Sequence, residues 1–409
     1  MNEPTSTTST KPTATASPRL QGLDTLRASA LLLGIVLHSL MPFVPGLTWL
    51  VEDSQKSEGA GLGMYVIHLF RMVVFMLLAG YFGRMVLHRR GTGSYLKDRL
   101  LRIGLPAVAF WPIAILTLPV LVTINTQLRG IPVPESPPPP EGVPPVLMLF
   151  TPGQLWFLVV LLQCVLITVA VRAVLIRLLG TDRSARWAAA IGRVLASPAG
   201  VVLATLPYLA ALLLQGTSVE GIIAPVTVLP EVAPLTAYLG AFVAGWFLHA
   251  ADGSLHQIAR GWVQLVLAVV VSSLGLLLEG RGLLVTAPIV AAAGWTWTYA
   301  LLGICTRFLN RPSPVMRYLA DASYWMYLLH LPLLVAIAIP LADLNWPIPV
   351  KLLITWAVAV LVLIPSYDLL VRNTWLGRWL NGHRRPRVLK RKDPDQPETV
   401  GVPADSSRP

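Results

Sequence analysis

The feature that most constrains the fold of this chain is a series of ten apolar segments, each about as long as a membrane is thick. A helix needs roughly 20 apolar residues to cross a hydrocarbon core of ~30 Å. Inside a bilayer, backbone groups must find their hydrogen-bond partners within the protein, which favours helices. The sequence therefore predicts an all-α, polytopic membrane bundle of about ten transmembrane helices. The segments are 21–43, 62–84, 103–124, 153–176, 198–214, 233–250, 260–279, 283–305, 318–341 and 348–371.

The composition agrees with a membrane protein. Hydrophobic residues make up 55% of the 409 residues and charged residues only 13%, against about a quarter charged in soluble proteins. The net charge of +12 could suggest a nucleic-acid partner, but the basic residues lie in short loops between apolar segments, which is how membrane topology is encoded. We therefore expect the lipid bilayer, and no nucleic acid, as a partner.

The distribution of basic residues predicts the orientation. Of 32 Lys and Arg residues, two lie within segments, four lie in one set of loops, and the remaining 26 lie in the other set and in the two tails. The set of four is Lys56, Arg129, Arg281 and Lys351. Because cytoplasmic loops carry the excess of basic residues, both termini are expected in the cytoplasm.

Composition also divides the chain. Residues 1–19 are rich in Ser, Thr and Pro and are predicted to form a disordered cytoplasmic tail. Residues 20–380 form the transmembrane domain, and 381–409 a basic, mostly disordered cytoplasmic tail. Cys164 and Cys305 each lie inside an apolar segment without metal-type spacing, so we expect no metal site.

The first segment carries three ionisable residues, Asp24, Arg27 and His38. At 100° per residue they lie within about 60° of one another on one helix face. A charge at the centre of a membrane helix costs roughly 2.5–3.5 kcal/mol, so this face should meet protein or a polar cavity. For Arg27, snorkelling to lipid phosphate is an alternative.

Three further ionisable side chains are expected near the depth of His38. Given alternating segment directions and a rise of ~1.5 Å per residue, His68, Arg71 and His330 fall within a few ångströms of that depth. His68 could instead form a structural hydrogen bond between helices, and His330 could satisfy a carbonyl freed by Pro332. Arg71 lies in mid-segment and cannot easily snorkel, which favours a functional role.

Five other side chains are candidates for contact with substrates. Ser323 shares a helix face with His330 and Tyr327 lies one turn from it, whereas Trp156 could be a substrate contact or part of an interfacial aromatic belt. The remaining two, Arg99 and Arg102, could bind an anionic donor or act only as topology signals.

These residue types suit acyl transfer. A histidine is the usual general base near neutral pH and could take a proton from a hydroxyl that attacks a thioester. Arginine binds phosphate or carboxylate in a forked geometry, so Arg27 could hold the phosphates of an acyl-CoA, and Arg71 an acyl carboxylate or an oxyanion. The sequence has no serine-hydrolase elbow, zinc-protease motif or phosphate-binding glycine loop, which argues against those classes.

Several motifs resemble the acyltransferase-3 family of bacterial integral-membrane O-acyltransferases. The first segment has its Arg-x10-His spacing, and further blocks follow in order over roughly 20–380. Within that family, the histidine–arginine block, the fourth-segment block and the carboxyl-terminal block resemble the glucan-biosynthesis subgroup, which is similar to succinyltransferases of periplasmic glucans. Many members carry an acidic residue about where Leu161 stands here. The blocks read LDTLRASALLLGIVLH, HLFRMVVFMLLAGYF, RLLRIGLP, LWFLVVLL, DASYWMYLLHLP and LLVRNTWLGRWLNG.

The resemblance implies that His38 is the catalytic base and Arg27 its motif partner, with Asp24 beside them. It implies a multi-pass inner-membrane enzyme that moves a succinyl or acetyl group from cytoplasmic acyl-CoA, a donor rather than a permanently bound cofactor, to a hydroxyl of a cell-envelope glycan. Other glucan-synthesis membrane proteins are expected partners. His38 and Ser323 are both conceivable acyl carriers, and direct transfer is preferred. The alternative is a transporter or flippase for an anionic solute or lipid-linked sugar, which the lack of detectable inverted repeats weakens.

Overall fold

A computed structural model describes residues 21–132, 144–219, 221–258, 262–309, 311 and 313–388. All regular secondary structure in these ranges is helical. The predicted tail at 1–19 and most of the predicted tail at 381–409 lie outside the described residues.

Eleven long helices form the described part of the fold, and nine of them are long and apolar enough to cross a membrane. The other two, Thr181–Ala196 and Trp262–Leu277, have 16 residues each. Short helices lie at Pro145–Met148, Ser254–Ile258 and Trp375–Leu380. In chain order the long helices are α1 (Gln21–Phe43), α2 (Glu58–Arg90), α3 (Thr92–Arg129), α4 (Gly153–Leu179), α5 (Thr181–Ala196), α6 (Pro198–Gln215), α7 (Val232–Ala250), α8 (Trp262–Leu277), α9 (Leu283–Phe308), α10 (Pro314–Leu341) and α11 (Ile348–Arg372).

The polytopic helical bundle is thus confirmed, with one shorter member. The predicted segment 260–279 is seen as α8, which is about 24 Å long at 1.5 Å per residue. It packs along α9, with Ala268, Ser272 and Gly275 buried. Two helices contain π-helical stretches, Leu100–Gly104 in α3 and Tyr367–Arg372 in α11.

Helix α2 lies at the centre of the bundle, against α1, α7 and α9. Its closest approach is to α7, where glycines replace larger side chains. A Cβ at Gly80 would clash with the Phe242 carbonyl, and one at Gly245 would clash with the Leu77 carbonyl. Small residues allow membrane helices to pack this closely. The contact fixes how α2 presents its polar face.

Helix α1 packs against α2, α9 and α10. Close contact with α9 is again made by a glycine, because a Cβ at Gly22 would clash with the Cys305 carbonyl. The three helices that carry the predicted ionisable residues are therefore neighbours. We call the end of the bundle that carries Arg90 and Arg99 the basic end, and the other the opposite end.

The chain after α11 folds back on the basic end. Arg385 Nε lies 3.1 Å from Asp321 Oδ2 of α10, and the Val388 amide donates to Asp368 Oδ1 at 3.1 Å. Residues 381–388, which the sequence assigns to the tail, therefore contact α10 and α11.

Candidate active site

Two histidines from different helices meet at the centre of the site. The ring centroids of His38 on α1 and His330 on α10 lie 5.3 Å apart. His330 Nδ1 lies 2.8 Å from the Tyr327 carbonyl. Since a carbonyl can only accept, Nδ1 carries the proton and Nε2 of the neutral ring holds a lone pair. His38 Nδ1 faces Met41 Sδ at 3.3 Å, so its Nε2 is also available.

Arg71 of α2 reaches this histidine pair across α1. A Cβ at Gly34 would lie 2.7 Å from Arg71 Nη1, so the guanidinium packs directly on the α1 backbone. Arg71 is within electrostatic range of His38, Tyr238 and Tyr327. Its Nε is buried without a hydrogen-bond partner among the described residues. No carboxylate of the part of the chain that the structure describes pairs with Arg71, and a buried arginine in a membrane bundle is costly without an anionic partner.

His68 lies one turn of α2 from Arg71 and is within electrostatic range of both Arg71 and His38. A Cβ at Gly221, in the loop after α6, would lie 3.9 Å from His68 Cδ2. The structure thus brings His38, His68, Arg71 and His330 together, in agreement with the similar membrane depths that the helix rise predicts for them.

Aromatic rings form one wall of the site. Phe157 packs on Tyr327 at 5.9 Å between centroids, and Trp156 packs on Tyr238 at 5.6 Å. The Tyr327 hydroxyl donates to the Gln154 carbonyl at 2.8 Å. Trp156 therefore packs against a tyrosine that is in electrostatic range of Arg71.

A loop covers His38 from the opposite end of the bundle. In this cap loop (residues 44–57), the indole of Trp49 stacks on the His38 ring, with centroids 5.9 Å apart and planes 14° apart. Lys351 of α11 lies 2.8 Å from both Asp53 carboxylate oxygens, and its side chain is 0% exposed. This buried ion pair holds the loop in place.

Arg27 and Ser323 lie together, away from the histidines. Arg27 Nη2 is 3.6 Å from Asp24 Oδ1 and donates to the Ala320 carbonyl at 3.4 Å. The Ser323 hydroxyl donates to the same carbonyl at 2.8 Å. Ser323 is seven residues from His330, or about 10 Å along α10. The structure therefore groups Ser323 with Arg27 and not with His330.

Arg99 and Arg102, the predicted contacts of the acyl donor, both lie next to the Asp98 carboxylate. Arg102 Nη2 lies 3.1 Å from Asp98, and Arg99 and Arg90 each lie 3.7 Å from it. A Cβ at Gly382 would clash with the Arg102 guanidinium, which packs there. Three cations share one anion, so this group keeps a positive balance at the basic end.

A cleft of about 930 Å³ opens at the basic end, beside Asp24 and Thr25 at the start of α1. It carries four arginines that sequence reasoning did not select as ligands. In the sequence these arginines lie in or next to the basic loops that are expected in the cytoplasm, so membrane topology alone accounts for them and nothing marks them as ligands. We call it the arginine cleft; its basic residues are Arg311, Arg317, Arg372 and Arg385.

A family model for the acyltransferase-3 family, described as an acyltransferase domain, matches residues 20–369. The chain belongs to the acyltransferase-3 family. The match includes the histidine–arginine cluster, and the nine apolar helices of the described residues make the chain a multi-pass membrane protein of this family.

Curated relatives agree over a shorter stretch. Glucans biosynthesis protein C of Shigella boydii serotype 4 (strain Sb227) and that of Escherichia coli (strain K12) are each 35% identical to this chain over 103 residues. The alignment covers 25% of this chain and 26% of each relative. The matched stretch thus spans about a quarter of the length of these relatives. No solved structure matches the chain.

The cluster has the parts that acyl transfer requires. A general base is offered by Nε2 of His38 or of His330, and a fixed cation for an oxyanion or a carboxylate is offered by Arg71. Two residues of this acyltransferase site, Trp49 and Tyr238, were not predicted from sequence. Gly34 was also missed, although it lies seven residues after Arg27 and four before His38, on the same face of α1.

Proposed function

We propose that this membrane acyltransferase moves an acyl group from cytoplasmic acyl-CoA to a hydroxyl of a cell-envelope glycan. The observation that carries the proposal is the Arg71 guanidinium, seated on Gly34 beside the His38–His330 pair, with an Nε that has no hydrogen-bond partner among the described residues. A cation held next to two histidine bases suits a reaction in which a proton leaves a hydroxyl while negative charge develops on an acyl carbonyl.

The step balances without a cofactor. Nε2 of His38 takes the proton of the acceptor hydroxyl as the hydroxyl oxygen attacks the thioester carbon. Arg71 stabilises the oxyanion of the tetrahedral intermediate. The carbon–sulfur bond then breaks, and the leaving thiolate takes the proton from His38. A thioester and an alcohol thus become an ester and free CoA thiol.

We assign the donor to the arginine cleft and to Arg27 beside it. The cleft is large and lies at the end predicted to be cytoplasmic. Its Arg311 and Arg317 are suited to phosphate groups, whereas Arg372 and Arg385 pair with Asp368 and Asp321. Arg27 and His38 are eleven residues apart on α1, or about 16 Å. In this assignment the phosphates stay near the basic end while the acyl arm extends along α1. Arg99 and Arg102 both pair with Asp98, so in this assignment they add positive electrostatic potential at the basic end and do not contact the donor directly.

The acceptor is proposed to be a periplasmic glucan, because the relatives are glucans biosynthesis proteins and the sequence motifs resemble the subgroup that acts on periplasmic glucans. The acyl group is proposed to be succinyl or acetyl. Because no carboxylate of the described residues pairs with Arg71, succinyl is favoured, whose second carboxylate Arg71 could bind in a forked geometry. The protein would then lie in the inner membrane with both termini in the cytoplasm, among other glucan-synthesis proteins.

The test is turnover by purified protein in detergent, given labelled succinyl- or acetyl-CoA and a glucan. We expect free thiol and labelled glucan in equal amounts. No turnover with either donor, together with solute uptake by proteoliposomes, would overturn the enzyme assignment in favour of a transporter.

A further inference from the structure

A second cavity, of about 230 Å³, lies at the opposite end of the bundle. It forms where α2 begins, α6 ends and α8 turns into α9. We call it the glycine cavity. Its polar side chains are Tyr65, Thr217, Ser218, Glu279 and Thr286.

Glycines make its walls thin and leave backbone groups accessible. Gly216 ends α6 with φ 81°, and Gly280 and Gly282 in the α8–α9 turn have φ 81° and 91°. Only glycine adopts such conformations at little cost. The Ser218 and Thr286 hydroxyls lie 2.6 Å apart, which aligns two hydroxyls on one wall.

The cavity and the proposed reacting groups lie at different heights along the same helix, α2. Tyr65, His68 and Arg71 are spaced by three residues, so Tyr65 and Arg71 are separated by about 9 Å of helix rise. The loop after α6 joins the two places, because it lines the cavity at Thr217 and faces His68 at Gly221. The Gln215 side chain sets the shape of this loop. Its amide nitrogen donates to the Gly221 carbonyl at 2.8 Å and to the Thr217 carbonyl at 3.2 Å, and its amide oxygen accepts from the Ile223 backbone amide at 2.8 Å.

The charge of the lining separates this cavity from the arginine cleft. Its lining contains one carboxylate, Glu279, and no Lys, Arg or His among the described residues. An anionic ligand would be repelled here, whereas a neutral ligand with many hydroxyls would find donors and acceptors. The two ends of the molecule thus suit different chemistry, an anion at the basic end and a neutral polyol at the opposite end.

We propose that the glycine cavity binds a hexose unit of a neutral glycan acceptor and so presents a neighbouring hydroxyl toward His68, Arg71 and His38. This inference rests on the proposed function, since it names the subsite for the acceptor of that reaction. The Glu279 carboxylate accepts hydrogen bonds from sugar hydroxyls. The Tyr65 hydroxyl donates to the Ser272 carbonyl at 3.4 Å and the Thr286 hydroxyl to the Gly282 carbonyl at 3.2 Å, so each offers a lone pair that accepts from a sugar hydroxyl.

The test uses Glu279→Gln and Thr286→Val in full-length protein, with Glu58→Gln as the matched control. Glu58 is an exposed carboxylate at the same end of the bundle, outside the cavity. We expect the Michaelis constant for glucan to rise tenfold or more in both cavity variants. The constant for acyl-CoA and the slow transfer of acyl groups to water should stay within twofold of wild type.

A charge readout separates binding from a merely structural effect. A carboxylated glucan oligosaccharide should compete more weakly than a neutral one of equal length in wild type. Glu279→Gln should reduce that difference severalfold. A third variant, Gly275→Ala, would place its Cβ 2.5 Å from the Tyr65 hydroxyl and should weaken glucan binding through displacement of that ring.

Direct binding distinguishes failure of this inference from failure of the proposed function. Saturation-transfer NMR with a neutral glucan oligosaccharide should detect binding to wild type and its loss in Glu279→Gln. Unchanged binding and unchanged kinetics in the cavity variants would overturn the subsite while leaving acyl transfer intact. Binding without turnover in wild type would overturn the proposed function while supporting the subsite.

Discussion

The guanidinium of Arg71 packs on the backbone of Gly34, one helical turn from His38 on the same helix. Helices α1 and α2 therefore share one site, because α1 has no side chain at position 34. If this contact matters for catalysis, a side chain added to α1 at position 34 should displace the Arg71 guanidinium of α2.

Gly34→Ala should lower turnover by roughly 10–100-fold, since a misplacement of about 1 Å can cost that much. The added Cβ would lie 2.7 Å from Arg71 Nη1, at the movable end of a long side chain, so the fold should survive. Gly93→Ala is the control, because no atom lies within 4 Å of its Cβ. The measurements are kcat and the thermal midpoint in detergent, and full activity in Gly34→Ala would contradict the role of the contact.

Arg71→Met should discriminate between donors. If Arg71 binds the second carboxylate of a succinyl group, kcat/KM should fall at least tenfold more with succinyl-CoA than with acetyl-CoA, or about 1.4 kcal/mol. Both constants are measured with the same glucan. An equal loss with both donors would speak against the carboxylate contact and leave only the oxyanion role.

His38→Ala should reduce kcat by roughly 10²–10⁴-fold, the usual contribution of a general base. His330→Ala tests whether the neighbouring ring contributes, and we expect a smaller loss because the proposed base is His38, which His330 only contacts. His256→Ala, at an exposed position, serves as control. Equal activity in His38→Ala and wild type would remove His38 from the mechanism.

Arg27→Lys keeps the charge but removes the forked geometry. We expect the Michaelis constant for acyl-CoA to rise about tenfold, while that for glucan is unchanged, because Arg27 lies beside the arginine cleft and His38 lies about 16 Å further along α1. Should the acyl-CoA constant stay at the wild-type value, Arg27 would have no part in donor binding.

Lys351→Met should destabilise the protein by about 3–5 kcal/mol, because it leaves the buried Asp53 carboxylate without its partner. The double variant Lys351→Met with Asp53→Leu should recover most of that loss, since no buried charge remains. Denaturant or thermal unfolding in detergent measures both. Equal stability of the single variant and wild type would mean that the ion pair does not hold the cap loop.

Much of the fold follows from local properties of the chain. Apolar length and the need to satisfy backbone groups within a bilayer predict the helices, and only α8 is shorter than its segment. The rise per residue then predicts depth, which is why His38 and His330, from distant parts of the chain, are found with rings 5.3 Å apart.

Other contacts do not follow from shared faces or from local pattern. Ser323 shares a predicted face with His330, but about 10 Å of helix rise separates the two side chains, and the Ser323 hydroxyl bonds to the carbonyl that Arg27 contacts. Trp49 lies in a loop with no periodicity to interpret, and its place on His38 depends on Asp53 and Lys351, 298 residues apart.

By itself the sequence determined that this chain forms a bundle of membrane helices, that one face of the first helix is polar, and which ionisable groups share a depth. Each of these depends on helix geometry and on the bilayer, which act on neighbouring residues. Only the tertiary structure decided that Arg71 rests on Gly34, that four arginines line one cleft, and that a cavity with a single carboxylate among its described lining residues lies at the opposite end. Those relations depend on which helices pack together and how each is rotated, and close contacts such as Gly80 with Phe242 set that rotation across distant parts of the chain.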